Sequence, residues 1–156
     1  MVNDDDTINA GVERFLNLKR SKVFKGQAMD SPGRRVLVVD DEWLIRWSLA
    51  EALNDAGYAV TQASDGQSAV QVLQEETVDV VLLDYRLPDS SDLQLLSRLR
   101  SLAPDARVIM MTAYGSPEMT REALALGALR VVHKPFDMQK ARALVDQASR
   151  QGSDQP

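Results

Sequence analysis

A doubly wound α/β domain on a five-stranded parallel sheet is what this sequence predicts, and three observations carry the prediction. Five short apolar runs rich in β-branched residues recur along the chain. Amphipathic helical patterns lie between and after them, and Gly57 and Gly127 stand where left-handed helix ends are wanted. Near-continuous apolar runs suit strands covered on both faces, and strict alternation of strand and helix makes parallel crossovers the simplest topology.

In chain order the strand runs are RVLVV (35–39), YAVTQ (58–62), VDVVLL (78–83), RVIMM (107–111) and RVVH (130–133). The helical faces alternate with them. Ile45, Leu49, Ala52, Leu53 and Ala56 share the first, and Ala69, Val70 and Leu73 the second. Leu95, Leu96, Leu99 and Leu102 form the third, Met119, Ala123 and Leu126 the fourth, and Ala141, Leu144, Val145 and Ala148 the fifth. The texture changes near DSPGRR (30–35), where Ser31-Pro32-Gly33 reads as a linker. Three segments result: an N-terminal extension over 1–33, one domain over 34–150 and a polar tail over 151–156. The extension carries one weak helical pattern (Ile8, Val12, Phe15, Leu16) followed by the cations Lys19, Arg20, Lys22 and Lys25. Its length and poor apolar content predict a flexible or partly helical leader.

Composition narrows the functional classes. At 156 residues, 44% hydrophobic and 26% charged, the chain holds one core of ordinary size. A formal charge of -5 argues against a surface built for nucleic acid or anionic lipid, which needs clustered Lys and Arg. Zero cysteines exclude disulfides and thiolate metal sites and fit a reducing compartment. No apolar stretch approaches a membrane span, and Asp4-Asp5-Asp6 opens the chain where a signal sequence would be basic and apolar. A soluble, cytoplasmic protein is expected.

Open α/β sheets bind ligands beyond the carboxyl ends of their strands, where strand order reverses. After the first run come Asp40, Asp41 and Glu42; after the third, Asp84; after the fourth, Thr112; after the fifth, Lys134. Asp40, Asp41 and Asp84 within several Å would repel one another, and a hard divalent cation relieves that repulsion. Mg²⁺ suits such a site, because it takes one or two carboxylates, keeps waters and accepts a phosphate oxygen. Lys134 would offset carboxylate charge and then grip a phosphoryl oxygen, and the Thr112 hydroxyl would donate to another. A carboxylate beside the metal is a credible nucleophile towards phosphorus. The one histidine, His133, should point away from Lys134 on an alternating strand.

VLVVDDE, VVLLDYRLPD, IMMTAYGS and VVHKPF resemble, in order and spacing, the four signatures of response-regulator receiver domains, the phosphoacceptor half of two-component signalling. The resemblance covers residues 34 to 150, and its wording is nearest the receivers of NtrC-type activators. It implies a flavodoxin-like (CheY-like) three-layer sandwich and phosphorylation at Asp84. Asp41 would contact Mg²⁺ directly, Asp40 mainly through water, and Arg86 through its backbone carbonyl. Thr112 and Lys134 would bind the phosphoryl oxygens, and Lys134-Pro135 would be cis. It also implies a sensor histidine kinase as donor, a downstream protein of unspecified identity, and a two-fold homodimer through the face of the fourth and fifth helices. No catalytic turnover beyond slow loss of the phosphoryl group is implied. Nothing after residue 150 is long enough for an ATPase or DNA-binding domain. Output is therefore expected through protein contact, onward phosphotransfer or self-association, or through further domains of a longer activator.

Some residues depart from the family pattern. Val131 occupies the place of a mobile Tyr or Phe, and Asp92 that of a common Gly. Arg86 and Tyr114 are bulky and should flank the entry of an attacking water. Simpler readings also stand: Asp40 and Asp41 as caps of the first helix, Asp65-Gly66 as a turn, His133 as a surface residue, and Trp43 and Trp47 as a packing pair or partner contact. Two further functional classes remain, a degenerate receiver serving only as a binding module and a Mg²⁺-dependent aspartyl-phosphate phosphohydrolase.

Overall fold

Strands form where β-branched and apolar residues crowd, and a computed structural model describes residues 33–151. Expectations for residues 1–32 and for the tail after Gln151 lie outside the described residues. The strands are β1 (Arg35–Val39), β2 (Ala59–Ala63), β3 (Val80–Asp84), β4 (Arg107–Thr112) and β5 (Ala128–His133). All pair in parallel, in the order β2-β1-β3-β4-β5. Helices α1 (Trp43–Asp55), α2 (Gly66–Glu75), α3 (Gln94–Leu102), α4 (Pro117–Ala125) and α5 (Met138–Gln151) alternate with them. The doubly wound five-stranded sheet is therefore as the sequence predicts.

Strand alternation divides the core in two. Leu37, Val39, Val81, Leu83, Val108 and Met110 face α2, α3 and α4, meeting Ala69, Leu73, Leu96, Leu99, Met119 and Ala123. Val36, Val38, Val80, Leu82, Ile109 and Met111 face α1 and α5, meeting Leu49, Leu53, Ala141, Val145 and Ala148. Both faces of β1, β3 and β4 are covered, which is why their runs are continuously apolar.

Some boundaries differ from expectation for physical reasons. Tyr58 stays outside β2 because its N–H donates to Leu53 O at the end of α1 (3.1 Å). β5 begins at Ala128, two residues early, because a register irregularity between Val108 and Ile109 admits the extra residue. Leu102 and Leu126 are partly exposed, each at a helix end where the chain turns to solvent. Asp65-Gly66 is not a free-standing turn. Asp65 caps α2 by accepting from Ser68 N (2.7 Å), and Gly66 is the helix's first residue. Gly57 and Gly127 do close helices, with φ of 97° and 103°.

Truncation of Leu53, fully buried between α1 and the sheet, should show how far the core sets stability. We expect Leu53→Ala to cost about 2–5 kcal/mol in urea unfolding, as a lower midpoint with an unchanged slope.

Candidate functional site

The reversal of strand order falls between β1 and β3, and the chain leaves these neighbours in opposite directions. Asp40 and Asp84 stand side by side there. Asp84 is the last residue of β3; Asp40 follows β1, its N–H donating to Ala63 O at 3.1 Å. On the other side, Tyr85 N donates to Met111 O (2.8 Å) and Lys134 N to Thr112 O (2.8 Å), so ladder bonds fix Thr112 and Lys134 at the same edge. One carboxylate oxygen from each of Asp40, Asp41 and Asp84 lies within 4.8 Å of the others. Asp40 and Asp84 are buried, whereas Asp41 opens to solvent.

The cation is not shared evenly. Lys134 Nζ lies 2.6 Å from Asp40 Oδ2 but 3.4 Å from Asp84 Oδ2. Asp40 also accepts from Glu42 N through Oδ1 (2.9 Å), so both its oxygens are engaged. Asp84 receives one long bond besides, from Arg86 N at 3.3 Å. Burial and then the charge of Asp40 push the Asp84 carboxyl up to about 6, with Lys134 only partly opposing them. Burial works to lower the pKa of Lys134, yet the hydrogen bond and charge of Asp40, with the charge of Asp84, hold it above its ordinary value. Of the two buried carboxylates, Asp84 is thus the one whose charge is less compensated.

The remaining expected residues fall into place around this group. Thr112 is buried, and its hydroxyl oxygen accepts from Tyr114 N (3.1 Å) within its own loop. Arg86 follows Asp84 by two residues, and its guanidinium stacks 4.8 Å from the centre of the exposed Tyr114 ring. The Lys134-Pro135 peptide is cis. Asp40 and Asp41 do not cap α1, whose N-cap is Glu42 and which has no side-chain cap. Asp92 accommodates the position of a common Gly by accepting from Gln94 N (3.0 Å), a local turn of its own making. His133 is exposed.

Two contacts escaped sequence reasoning. Asp89, in the loop after β3, accepts from Gly66 N (2.8 Å) and Gln67 N (2.9 Å), tying that loop to the start of α2. Arg46 Nη1 donates to the Asp40 carbonyl (2.7 Å), fixing the loop that presents Asp40 and Asp41. Neither has a signature in the sequence, since each joins a loop to a helix by geometry alone.

Residues 36–146 match the response regulator receiver domain family. The chain belongs to that family. This receiver domain is 40% identical over 111 residues to sporulation initiation phosphotransferase F of Bacillus subtilis, covering 71% of this chain and 90% of the relative. It is 30% identical over 119 residues to the chemotaxis protein CheY of Thermotoga maritima, covering 76% of this chain and 99% of the relative. Against the transcriptional regulator NtrC of Escherichia coli it is 39% identical over 113 residues, 72% of this chain but 24% of the regulator. Among solved structures, the CheY-like receiver of Methanospirillum hungatei matches with a TM-score of 0.75 at 27% identity, over 78% of this chain and 97% of that one. NtrX of Brucella abortus in complex with ADP matches at 0.71 and 29% identity, over 78% of this chain and 28% of that one. The protein is therefore a receiver domain of two-component signalling. Among its described residues, no helix is long and apolar enough to cross a membrane.

The raised Asp84 pKa has a stability consequence in metal-free protein. Folded Asp84 binds its proton more tightly than the unfolded chain, so its contribution is fully present below about pH 4 and is lost as pH rises through about 6. Asp84→Asn, which cannot ionise, should melt close to wild type at pH 4 and roughly 5 °C higher at pH 7.5 in metal-free buffer. Calorimetric melts across that range measure it.

Proposed function

We propose that this receiver accepts a phosphoryl group on Asp84 from the phosphohistidine of a sensor histidine kinase in the cytoplasm, aided by Mg²⁺, and signals through altered protein contacts. The observation that carries the reading is the uneven charge balance. Three carboxylates converge within 4.8 Å, and the one ammonium among them is committed to Asp40. The residues fit a hard divalent cation, since the donors are all oxygens and Asp84 is left under-compensated. Asp41 and Asp84 would hold it directly, Asp40 through water because its oxygens are already engaged, and the Arg86 carbonyl would complete the set. The bound ion would neutralise charge on the phosphoryl group and orient it.

The chain's own residues then have distinct tasks. A carboxylate oxygen of Asp84 attacks phosphorus in line, the O–P bond forms as the P–N bond breaks, and the imidazole nitrogen of the donor keeps the electron pair. Lys134 transfers its grip from Asp40 towards a phosphoryl oxygen, and Thr112 releases Tyr114 N to donate to another. Arg86 stacked on Tyr114 stands beside the site and slows hydrolysis by limiting the approach of water. Trp43, Leu44 and Trp47 are exposed by 67%, 55% and 47% just past Asp41 and Glu42, an apolar contact for the donor protein beside the reacting carboxylate. Output runs through the α4 and α5 face, to a downstream protein or a second copy. Onward phosphotransfer is supported by the name of the Bacillus subtilis relative, a phosphotransferase. The domain acts as a stoichiometric acceptor and not as a turnover enzyme.

Incubation of the full chain with Mg²⁺ and acetyl phosphate, followed by intact-mass measurement, tests the reading. Wild type should gain one phosphoryl group and Asp84→Asn none, with Lys134→Ala slowed by roughly 100-fold. Labelling that persists in Asp84→Asn, or none in wild type, would overturn it. Trp43→Ala and Trp47→Ala should leave acetyl phosphate labelling intact while reducing transfer from a phosphorylated kinase by about tenfold. Equal loss from both donors would remove the docking role. Phosphorylated Arg86→Asn and Tyr114→Ala should lose their label faster than wild type, and decay at the wild-type rate would reject the shielding role.

A further inference from the structure

The chain leaves β3 at Asp84 and enters α3 at Gln94 through residues 85–93, a loop without glycine. Its start is held by the ladder bond from Tyr85 N to Met111 O (2.8 Å), and Arg86 N follows with the long bond to Asp84 Oδ1 at 3.3 Å. The loop then closes on itself. Leu87 N donates to Ser90 O (2.7 Å) and Ser90 N donates back to Leu87 O (3.2 Å), which makes Pro88 and Asp89 the central residues of a tight turn. The Arg86 carbonyl and the Leu87 N–H belong to one planar peptide unit, so they point in opposite directions. Where Ser90 O stands therefore sets where the Arg86 carbonyl points.

The turn is anchored at two places. Leu87 is buried in the core that faces α2, α3 and α4, but one side chain alone leaves a turn free to pivot. Asp89 removes the pivot: its Oδ1 accepts from Gly66 N (2.8 Å) and its Oδ2 from Gln67 N (2.9 Å), the first two N–H groups of α2. Those groups have no partner within the helix, and a carboxylate meets them with charge as well as hydrogen bonds. The third N–H, of Ser68, goes to Asp65 Oδ1 at 2.7 Å. Gly66 makes the room. A Cβ there would stand 3.2 Å from Asp89 Oδ1 and 3.0 and 3.3 Å from the two Cδ atoms of Leu95 on α3, while its φ is not left-handed. Close approach therefore asks for glycine in the helix, where the loop itself has none. We propose that Asp89 is a positioning residue for the metal site: by locking the Leu87–Ser90 turn to α2, it aims the Arg86 carbonyl. The inference rests on that carbonyl as a Mg²⁺ ligand.

The full chain, freed of metal, is titrated with Mg²⁺ at pH 7.5 by calorimetry and by NMR of the Leu87 amide, whose nitrogen shares a peptide unit with the Arg86 carbonyl. Thermal melts without metal are recorded beside them. In wild type, bound Mg²⁺ should move the Leu87 signal. Asp89→Ala should weaken Mg²⁺ binding about tenfold and shrink the Leu87 displacement at saturation. Asp65→Ala removes the other carboxylate cap of the same helix without touching the turn. It should lower the melting temperature about as much as Asp89→Ala, by roughly 4 °C, yet bind Mg²⁺ as wild type. A merely structural role for Asp89 would make the two variants alike in both measurements. Should Asp89→Ala not fold, Asp89→Asn decides: with a single acceptor oxygen it should lose roughly threefold in affinity, half the effect on a logarithmic scale, while Asp65→Asn loses none.

Wild-type affinity in the Asp89 variants, or an equal loss in the Asp65 variants, would overturn the positioning role and leave the metal and phosphoacceptor readings intact. Mg²⁺ binding that leaves the wild-type Leu87 amide unmoved would take the Arg86 carbonyl out of the ligand set, and the positioning role with it. Wild type that binds no Mg²⁺ at all would overturn the metal reading itself, a failure distinct from either.

Discussion

The ion pair between Lys134 and Asp40, 2.6 Å long and almost wholly buried, ties the end of β5 to the end of β1 across β3 and β4. Everything else at the carboxyl edge depends on it. Two like charges from neighbouring strands, Asp40 and Asp84, could not sit buried side by side without a cation to hold them, and uncompensated buried charge costs several kcal/mol. The pair satisfies Asp40 and stops short of Asp84. That asymmetry leaves one carboxylate of the site both anchored in a rigid strand and short of positive charge.

The fold is what makes this asymmetry durable. Side chains alternate along β1, β3 and β4 between two fully covered cores, so the backbone of each strand end is set by packing on both faces. Asp84 and Thr112 are themselves the last residues of their strands, while Asp40 and Lys134 follow theirs by one residue and stay within the ladder. The loops beyond these points carry the variable parts: Arg86 stacked on Tyr114 beside the site, the exposed tryptophans of α1, and the turn that Asp89 ties to α2. A rigid edge thus holds the carboxylates, Thr112 and Lys134, and the loops surround them.

How much of this could be read from the sequence follows from what each feature requires. β-branched runs such as RVLVV and VVLL specify strands because they are covered on both faces, and Asp84 and Lys134 were legible because alternation places whatever follows each run at one edge. Strand starts were less legible. Ala128 entered β5 through a bulge, and Tyr58 left β2 through a bond to α1, both outcomes of pairing between distant segments. Least legible were contacts between loops and their neighbours. Nothing in the spacing of Asp89 shows that it holds the start of α2, and nothing in VVHKPF shows that Lys134 prefers Asp40 to Asp84. These depend on where side chains of separate elements arrive, which only the assembled sheet determines.

If the site is three carboxylates balanced by one ammonium too few, the metal should compete with Lys134 for the same charge. A calorimetric titration of metal-free protein with Mg²⁺ at pH 7.5 measures this directly. The account predicts one ion per chain, weaker binding in Asp41→Asn and Asp84→Asn, and binding tighter than wild type in Lys134→Ala, whose carboxylates have lost their internal cation. Mg²⁺ binding that is indifferent to the carboxylate substitutions, or weakened by removal of Lys134, would contradict it.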